Sequence, residues 1–255
     1  MKQKRLGGLC AAAIFLLCAL MTGFYLIAGY GAYLDSDMAS ELALASHLAK
    51  EGALISSTWA YSTEVRVLST QLVFTPLMAL FPHNWRLVRT LGCLILQAAL
   101  AASAYFCGRS LGARKRFALL FAGLSISVCS VVYAQIITIG AYYVPHAVLT
   151  NLYVGLTARL MTERKHGRRR GILALLIALS MLMGASSIRY LFCATIPAAA
   201  AGVWAYLFPA GNEAVPREWK DKVGFLLTLI GLVFSVSGFL IGQKILPKIC
   251  DYDAA

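Results

Sequence analysis

Apolar positions fall in long blocks along this chain. Runs at roughly 7 to 30, 86 to 107, 117 to 139, 142 to 161, 171 to 187, 190 to 208 and 223 to 242 each approach the about 20 residues that a helix needs to cross a bilayer core. The pattern predicts an all-α membrane protein with about seven transmembrane helices, read as one polytopic domain over residues 1–255. The fifth and sixth runs are continuous except for "GASSIRY" at 184 to 190. A single helix from 171 to 208 would be about 57 Å long, nearly twice the hydrocarbon thickness, so a hairpin turning near Gly184 to Arg189 is expected. That turn puts Arg189 at a membrane face.

Between the first two runs, residues 31 to 85 read as one long external segment. Within it "LVFTPLMALF", 72 to 81, is apolar but short and carries Pro76, which predicts a re-entrant or interfacial piece. Residues 37 to 51 suit an amphipathic helix lying on the membrane: Met38, Leu42, Ala45 and Ala49 repeat at helical spacing, Asp37 is placed to cap the start, and Gly52 follows the end. Glu41 and Lys50 are expected on its polar face.

Composition agrees with the blocks, since 60% of residues are hydrophobic and only 13% charged, too apolar for a soluble domain. The net charge of +12 could point to nucleic acid, but its placement argues otherwise. If the N-terminus is cytoplasmic, 16 of the 23 Lys and Arg residues fall in cytoplasmic segments, as topology requires, and the first loop and the C-terminal tail (about 243 to 255) lie outside. The first run is longer than a signal-peptide core and is read as a retained span. The seven cysteines show no disulfide framework or CxxC metal spacing, and six of them sit in or beside apolar runs as small fillers.

The chemistry concentrates in "YLDSDMASEL", 33 to 42, where acids directly follow a span. Charge beside hydrocarbon is costly and marks a candidate site. A carboxylate at such a rim can take a proton as general base, or with a second acid can hold a divalent cation such as magnesium or manganese. Asp35 precedes the surface helix; Asp37 has capping as a competing explanation. With "WAYSTEVRVL" and "GASSIRYLFCATIP", this layout resembles the GT-C superfamily of integral-membrane glycosyltransferases, in particular bacterial relatives of protein O-mannosyltransferases and aminoarabinose transferases.

The resemblance implies transfer of a sugar, with inversion, from a polyprenyl-phosphate donor to a glycan, lipid or protein acceptor at the extracytoplasmic face. It makes Asp35 the catalytic base and Asp37 its partner or a metal ligand. Arg189, with Arg86, Arg89 and His146, would hold the donor phosphate, and Trp59, Tyr61 and Glu64 would contact sugar or acceptor. Each has a plainer reading. Arg189, Arg86 and Arg89 can reach lipid headgroups, Glu64 can pair with Arg66, Trp59 and Tyr61 can anchor at the interface, and His146 can make a structural hydrogen bond. His47, His83 and His166 show no ligand spacing and read as incidental. Many GT-C relatives run on for further spans, so this chain is expected to be a shorter form. Two other classes compete: a non-catalytic paralogue and a small transporter or flippase, the latter disfavoured by the scarcity of charge within the runs.

Overall fold

The computed structural model describes residues 2–29, 34–61, 67–163, 165–208 and 222–249, and these are helical with no strand among them. Ten helices follow in chain order: α1 (Lys2–Ala28), α2 (Ser36–Glu51), α3 (Gln71–Leu80), α4 (Trp85–Ser110), α5 (Lys115–Ile126), α6 (Val131–Tyr133, continued by a π-helical turn Ala134–Ile139), α7 (Val144–Thr162), α8 (His166–Ser186), α9 (Ile196–Leu207, entered through a π-helical turn Leu191–Thr195) and α10 (Lys222–Ile249). They gather into two compact units. The first holds residues 1–60 and 68–148, the second 61–67 and 149–255.

Four of the described helices are long and apolar enough to cross a membrane, within α1, α4, α8 and α10, and a fifth crossing results if α5 and α6 count as one bent span. The described residues thus make a helical, multi-pass membrane protein in which four or five helices qualify as crossings by length and composition, and the expected seven are not confirmed among them. Large side chains such as Leu9, Leu20 and Phe24 of α1 and Val233 and Leu240 of α10 are exposed, as surfaces facing lipid should be. The expected span at 142 to 161 is less apolar than the four crossing helices, because α7 mixes Pro145, His146, Thr150, Asn151 and Arg159 with its apolar residues. The one at 190 to 208 is reduced to a short apolar stretch at Leu191–Trp204, only about 21 Å of helix. The expected run at 117 to 139 is broken. α5 stops at Ile126, Ser127 is extended, and the axis turns by 85° before α6.

That break is built from hydroxyls. Ser130 caps α6 by accepting the Tyr133 amide at 3.0 Å, and Thr22 of α1 donates to the terminal carbonyl of Ile126 at 2.6 Å. α1 lies against α5 closely enough that a Cβ on Gly123 would meet the Phe15 backbone at 3.1 Å.

The surface helix forms nearly as the pattern predicts, with Met38, Leu42, Ala45 and Leu48 buried and Gly52 ending it in the left-handed region at φ 65°. Its start is corrected: Asp35, not Asp37, is the N-cap, and Asp37 is an exposed first-turn residue. Glu41 is corrected too, for it does not sit on an open polar face (see below). The short run at 72 to 81 becomes α3, ten residues long with Pro76 inside, about 15 Å and short of a crossing. Its Phe74 ring occupies the space that a side chain on Gly92 of α4 would need.

The second unit is organised differently. α8 and α10 approach until backbones touch: a Cβ on Gly184 would run into the Ser235 carbonyl, one on Gly238 into the Met181 carbonyl, and one on Gly242 would lie 3.0 Å from the Ala185 oxygen. Small residues let apolar helices gain dispersion contact where lipid offers no hydrophobic drive.

Candidate functional site in the first unit

Asp35 ends the segment after α1 and opens α2. Its Oδ1 accepts the Met38 amide at 2.8 Å, the ordinary capping bond, and also the Tyr142 hydroxyl at 2.8 Å from a turn more than a hundred residues away in sequence. Burial opposes ionisation of Asp35, but the bonds from Met38, Tyr142 and Gln135 outweigh it and hold the carboxyl below its usual range. Burial and the neighbouring Asp35 charge push the Tyr142 phenol well above its ordinary value, so it stays protonated as a donor.

Nearly two turns along α2, Glu41 meets Arg89 of α4 at 2.6 Å, with side-chain exposures of 12% and 1%. Thr70 donates to the same carboxylate, and Gln71 Nε2 to the Glu41 carbonyl at 2.9 Å. The guanidinium does more than neutralise Glu41. Its Nε and Nη2 reach the Ile139 carbonyl at 3.1 and 3.0 Å, and Nη2 also reaches the Gly140 carbonyl. Phe74 lies under it with its ring centre 4.9 Å away.

Arg89 heads a stripe on α4. Cys93 donates to the Ile139 carbonyl at 3.2 Å and Gln97 to the Ile137 carbonyl at 2.6 Å. Positions 89, 93 and 97 repeat at four, so one helix face supplies donors to the carbonyls that the broken helix leaves open. Just past them Ala141 adopts φ 58°, a strained conformation for a residue with a Cβ. Tyr142 follows and reaches Asp35. Two acids of α2 are thereby tied to the end of the broken helix, one directly and one through Arg89.

The other expected site residues divide. Arg89 is buried with its donors engaged by the protein, which leaves it poorly suited to the donor phosphate assigned to it. Arg86 is exposed and reaches the Ile27 carbonyl at 3.3 Å. His146 lies against Tyr143, ring centres 5.8 Å apart. Trp59 is half-buried and tilted on His47 at 5.7 Å, whereas Tyr61 and Arg189 belong to the second unit. There the Arg189 amide bonds Ser187 at the break after α8. Glu64 lies outside the described residues. Among the described residues no three His, Cys, Asp or Glu side chains gather into a metal-binding group. Asp35 is surrounded by hydrogen-bond donors, which suits an anion standing alone and does not fit a cation shared with Asp37.

Sequence reasoning passed over Tyr142, Gln135, Cys93 and Gln97, and took Glu41 for a solvent-facing residue. The four-residue spacing of Arg89, Cys93 and Gln97 in an otherwise apolar helix was the available signal. His47, read as incidental, has its Nε2 3.0 Å from Glu51, 3.0 Å from Ser56 and 2.9 Å from Thr58.

Fold and site together define a multi-pass helical membrane protein with a buried polar knot beside its first apolar helix. No protein family, no curated protein and no solved structure matches this chain.

Proposed function

We propose that the chain is a GT-C-like membrane glycosyltransferase, moving a sugar from a polyprenyl-phosphate donor to an acceptor hydroxyl at the extracytoplasmic face of the cell membrane. The observation that carries this reading is the setting of Asp35, a carboxylate shortly after the first apolar helix, at the head of a surface helix, held by the amide of Met38 in its own helix and the hydroxyl of Tyr142 more than a hundred residues away. In the reaction the carboxylate takes the acceptor proton as the hydroxyl oxygen bonds to the anomeric carbon. The bond from that carbon to the phosphate oxygen breaks, and its electron pair leaves with the polyprenyl phosphate. A carboxylate kept below its usual range is a weak base, so placement supplies more of the advantage than basicity does. Arg86, the exposed cation on α4, is assigned to the leaving phosphate.

The test is sugar transfer in proteoliposomes offered a panel of polyprenyl-phosphate sugars. Asp35→Asn should abolish turnover while donor binding persists, and Arg86→Ala should weaken donor binding. Arg189→Ala in the same assay tests the phosphate role that the resemblance assigns to Arg189, with weaker donor binding as the expected result. Transfer by Asp35→Asn at the wild-type rate would remove the base and with it the enzyme reading.

The bent α5–α6 pair favours one other reading, because transporters bind ions on the carbonyls of broken helices. Here the carbonyls of Ile137, Ile139 and Gly140 already receive donors from α4, which weighs against it. Substrate flux without transfer in the same vesicles would reverse that ranking.

A further inference from the structure

We propose that Arg116, with Arg114 and Lys115 beside it, binds the phosphate of an anionic phospholipid where α1, α4 and α5 meet at one end of the first unit. α1 and α5 run side by side in the same direction, since Gly123 lies against Phe15 and Arg116 against Gly7, where a Cβ would stand 2.8 Å from the Arg116 Nη1. α4 ends at the same place. Gly112 turns the chain at φ 86°, Arg109 fastens the turn by donating to the Ala113 carbonyl at 2.6 Å, and α5 begins at Lys115 with Arg114 and Lys115 exposed. Lys2, Lys4 and Arg5 stand in the first turn of α1.

No carboxylate on these helices answers the charge. Neither residues 1–34 nor residues 65–162 contain an Asp or Glu, so α1, α4 and α5 carry cations alone. The acids of this unit lie on α2 and its cap, which follow the other end of α1. The Arg116 guanidinium is half-buried, with its carbon 4.8 Å from the Phe117 ring centre, and its Nε, screened from solvent, has no acceptor among the described residues. A guanidinium so placed can take two phosphate oxygens in a fork. What selects a lipid over free phosphate is the apolar surface that continues from the cations. Phe117, Phe121 and Leu124 repeat at four and three on α5 and are exposed, as are Leu6 and Leu9 near the same end of α1. Acyl chains laid along that face bring the phosphate to the cations, and a basic cluster beside a membrane-crossing helix prefers anionic to zwitterionic headgroups. This site lies at the end of α1 away from Asp35 and does not depend on the glycosyltransferase reading.

Native mass spectrometry of the full chain in detergent reads the site, during titration with phosphatidylglycerol or with phosphatidylcholine bearing the same acyl chains. Expected is one tightly held phosphatidylglycerol per chain, bound at least roughly 10-fold tighter than phosphatidylcholine and not displaced by inorganic phosphate. Affinity for phosphatidylglycerol should fall roughly 10-fold in Arg116→Met, which keeps an apolar stem, and as much in Arg114→Gln combined with Lys115→Gln. Arg168→Gln on α8 should bind as wild type does, because that guanidinium already faces Glu163. Equal affinity of the wild-type chain for the two lipids would overturn the site, as would displacement by inorganic phosphate or a folded Arg116→Met chain with wild-type affinity. Should Arg116→Met fail to fold, the exposed pair Arg114→Gln and Lys115→Gln decides.

Discussion

The two units solve the same problem, holding helices together where lipid is the solvent, by opposite means. In the first, a helix is broken at Ser127–Ser130 and again past Ile139, and polar side chains of neighbouring helices bond to the exposed backbone. Thr22 takes the Ile126 carbonyl, and Arg89, Cys93 and Gln97 take those of Ile137, Ile139 and Gly140. In the second, α8 and α10 are unbroken and approach through Gly184, Gly238 and Gly242. An irregular backbone away from water requires donors; a regular one requires only small side chains. The polar investment, and with it the candidate chemistry, therefore sits where the helix is interrupted.

Removing the centre of the polar knot should give the largest effect. Arg89→Met strands the Glu41 carboxylate, frees the Gly140 carbonyl and leaves that of Ile139 with only the Cys93 thiol, at a cost of roughly 3–5 kcal/mol. Adding Glu41→Leu should recover part of that loss, since two apolar residues leave no buried charge. Thermal unfolding in detergent measures both. Hydrogen exchange localises the damage: amides of α6 should lose protection while those of α8 and α10 keep theirs. Equal losses from the single and the double substitution would mean that Arg89 acts on the carbonyls alone.

The glycine contacts should come next. Gly184→Val places a branched side chain against the Ser235 carbonyl, and overpacking of this kind costs about 1–3 kcal/mol. Protection should now fall in α8 and α10 and hold in α6, the mirror image of the Arg89 result. Gly171→Val, at a position with open space around it, is the control for helix propensity on the same helix.

What the sequence revealed of these two devices follows from their range. Long apolar runs announce themselves through composition, and the helices at α1, α4, α8 and α10 fall close to where the runs predict them. The surface helix was legible because its buried face repeats at three and four. The break in α5–α6 was not, because "SISVCS" is apolar enough to pass as span, and nothing local says that Thr22, a hundred residues earlier, will take the freed carbonyl. Asp35 was singled out as a carboxylate beside a span, but the capping role was assigned to Asp37, two residues past the observed cap. Its partner Tyr142 was hidden inside what reads as the start of another apolar run. Long-range pairings such as Asp35 with Tyr142 and Glu41 with Arg89 depend on tertiary approach, which no local pattern encodes.

A smaller effect separates the two roles of Asp35. Asp35→Ala removes the cap and should cost about 1 kcal/mol, whereas Asp35→Asn caps nearly as well. The charge itself is read by pH. Because the folded carboxyl titrates below its ordinary value of 3.8, its contribution is complete above that value and is lost as the pH falls through the lower folded one. Unfolding measured from pH 5 downward should show this increment in wild type and lose it in Asp35→Asn. Tyr142→Phe should shrink it, because a donor to the ionised form is gone. An unchanged acid limb in Asp35→Asn would assign the pH dependence to other carboxylates.

The smallest expected change is at Ala141. Its φ of 58° costs roughly 1 kcal/mol relative to glycine, and Ala141→Gly relieves that while giving the unfolded chain more freedom to lose, worth about 0.5–1 kcal/mol in the other direction. Stability should therefore move little. What should change is the turn between Ile139 and Val144, whose amides should exchange faster if the alanine helps to aim Tyr142 at Asp35. Unaltered exchange there would place the whole burden of orientation on Arg89, whose hold on the Ile139 and Gly140 carbonyls ends two residues short of the tyrosine. In either case α8 and α10 should not respond, because nothing in their packing depends on a left-handed residue.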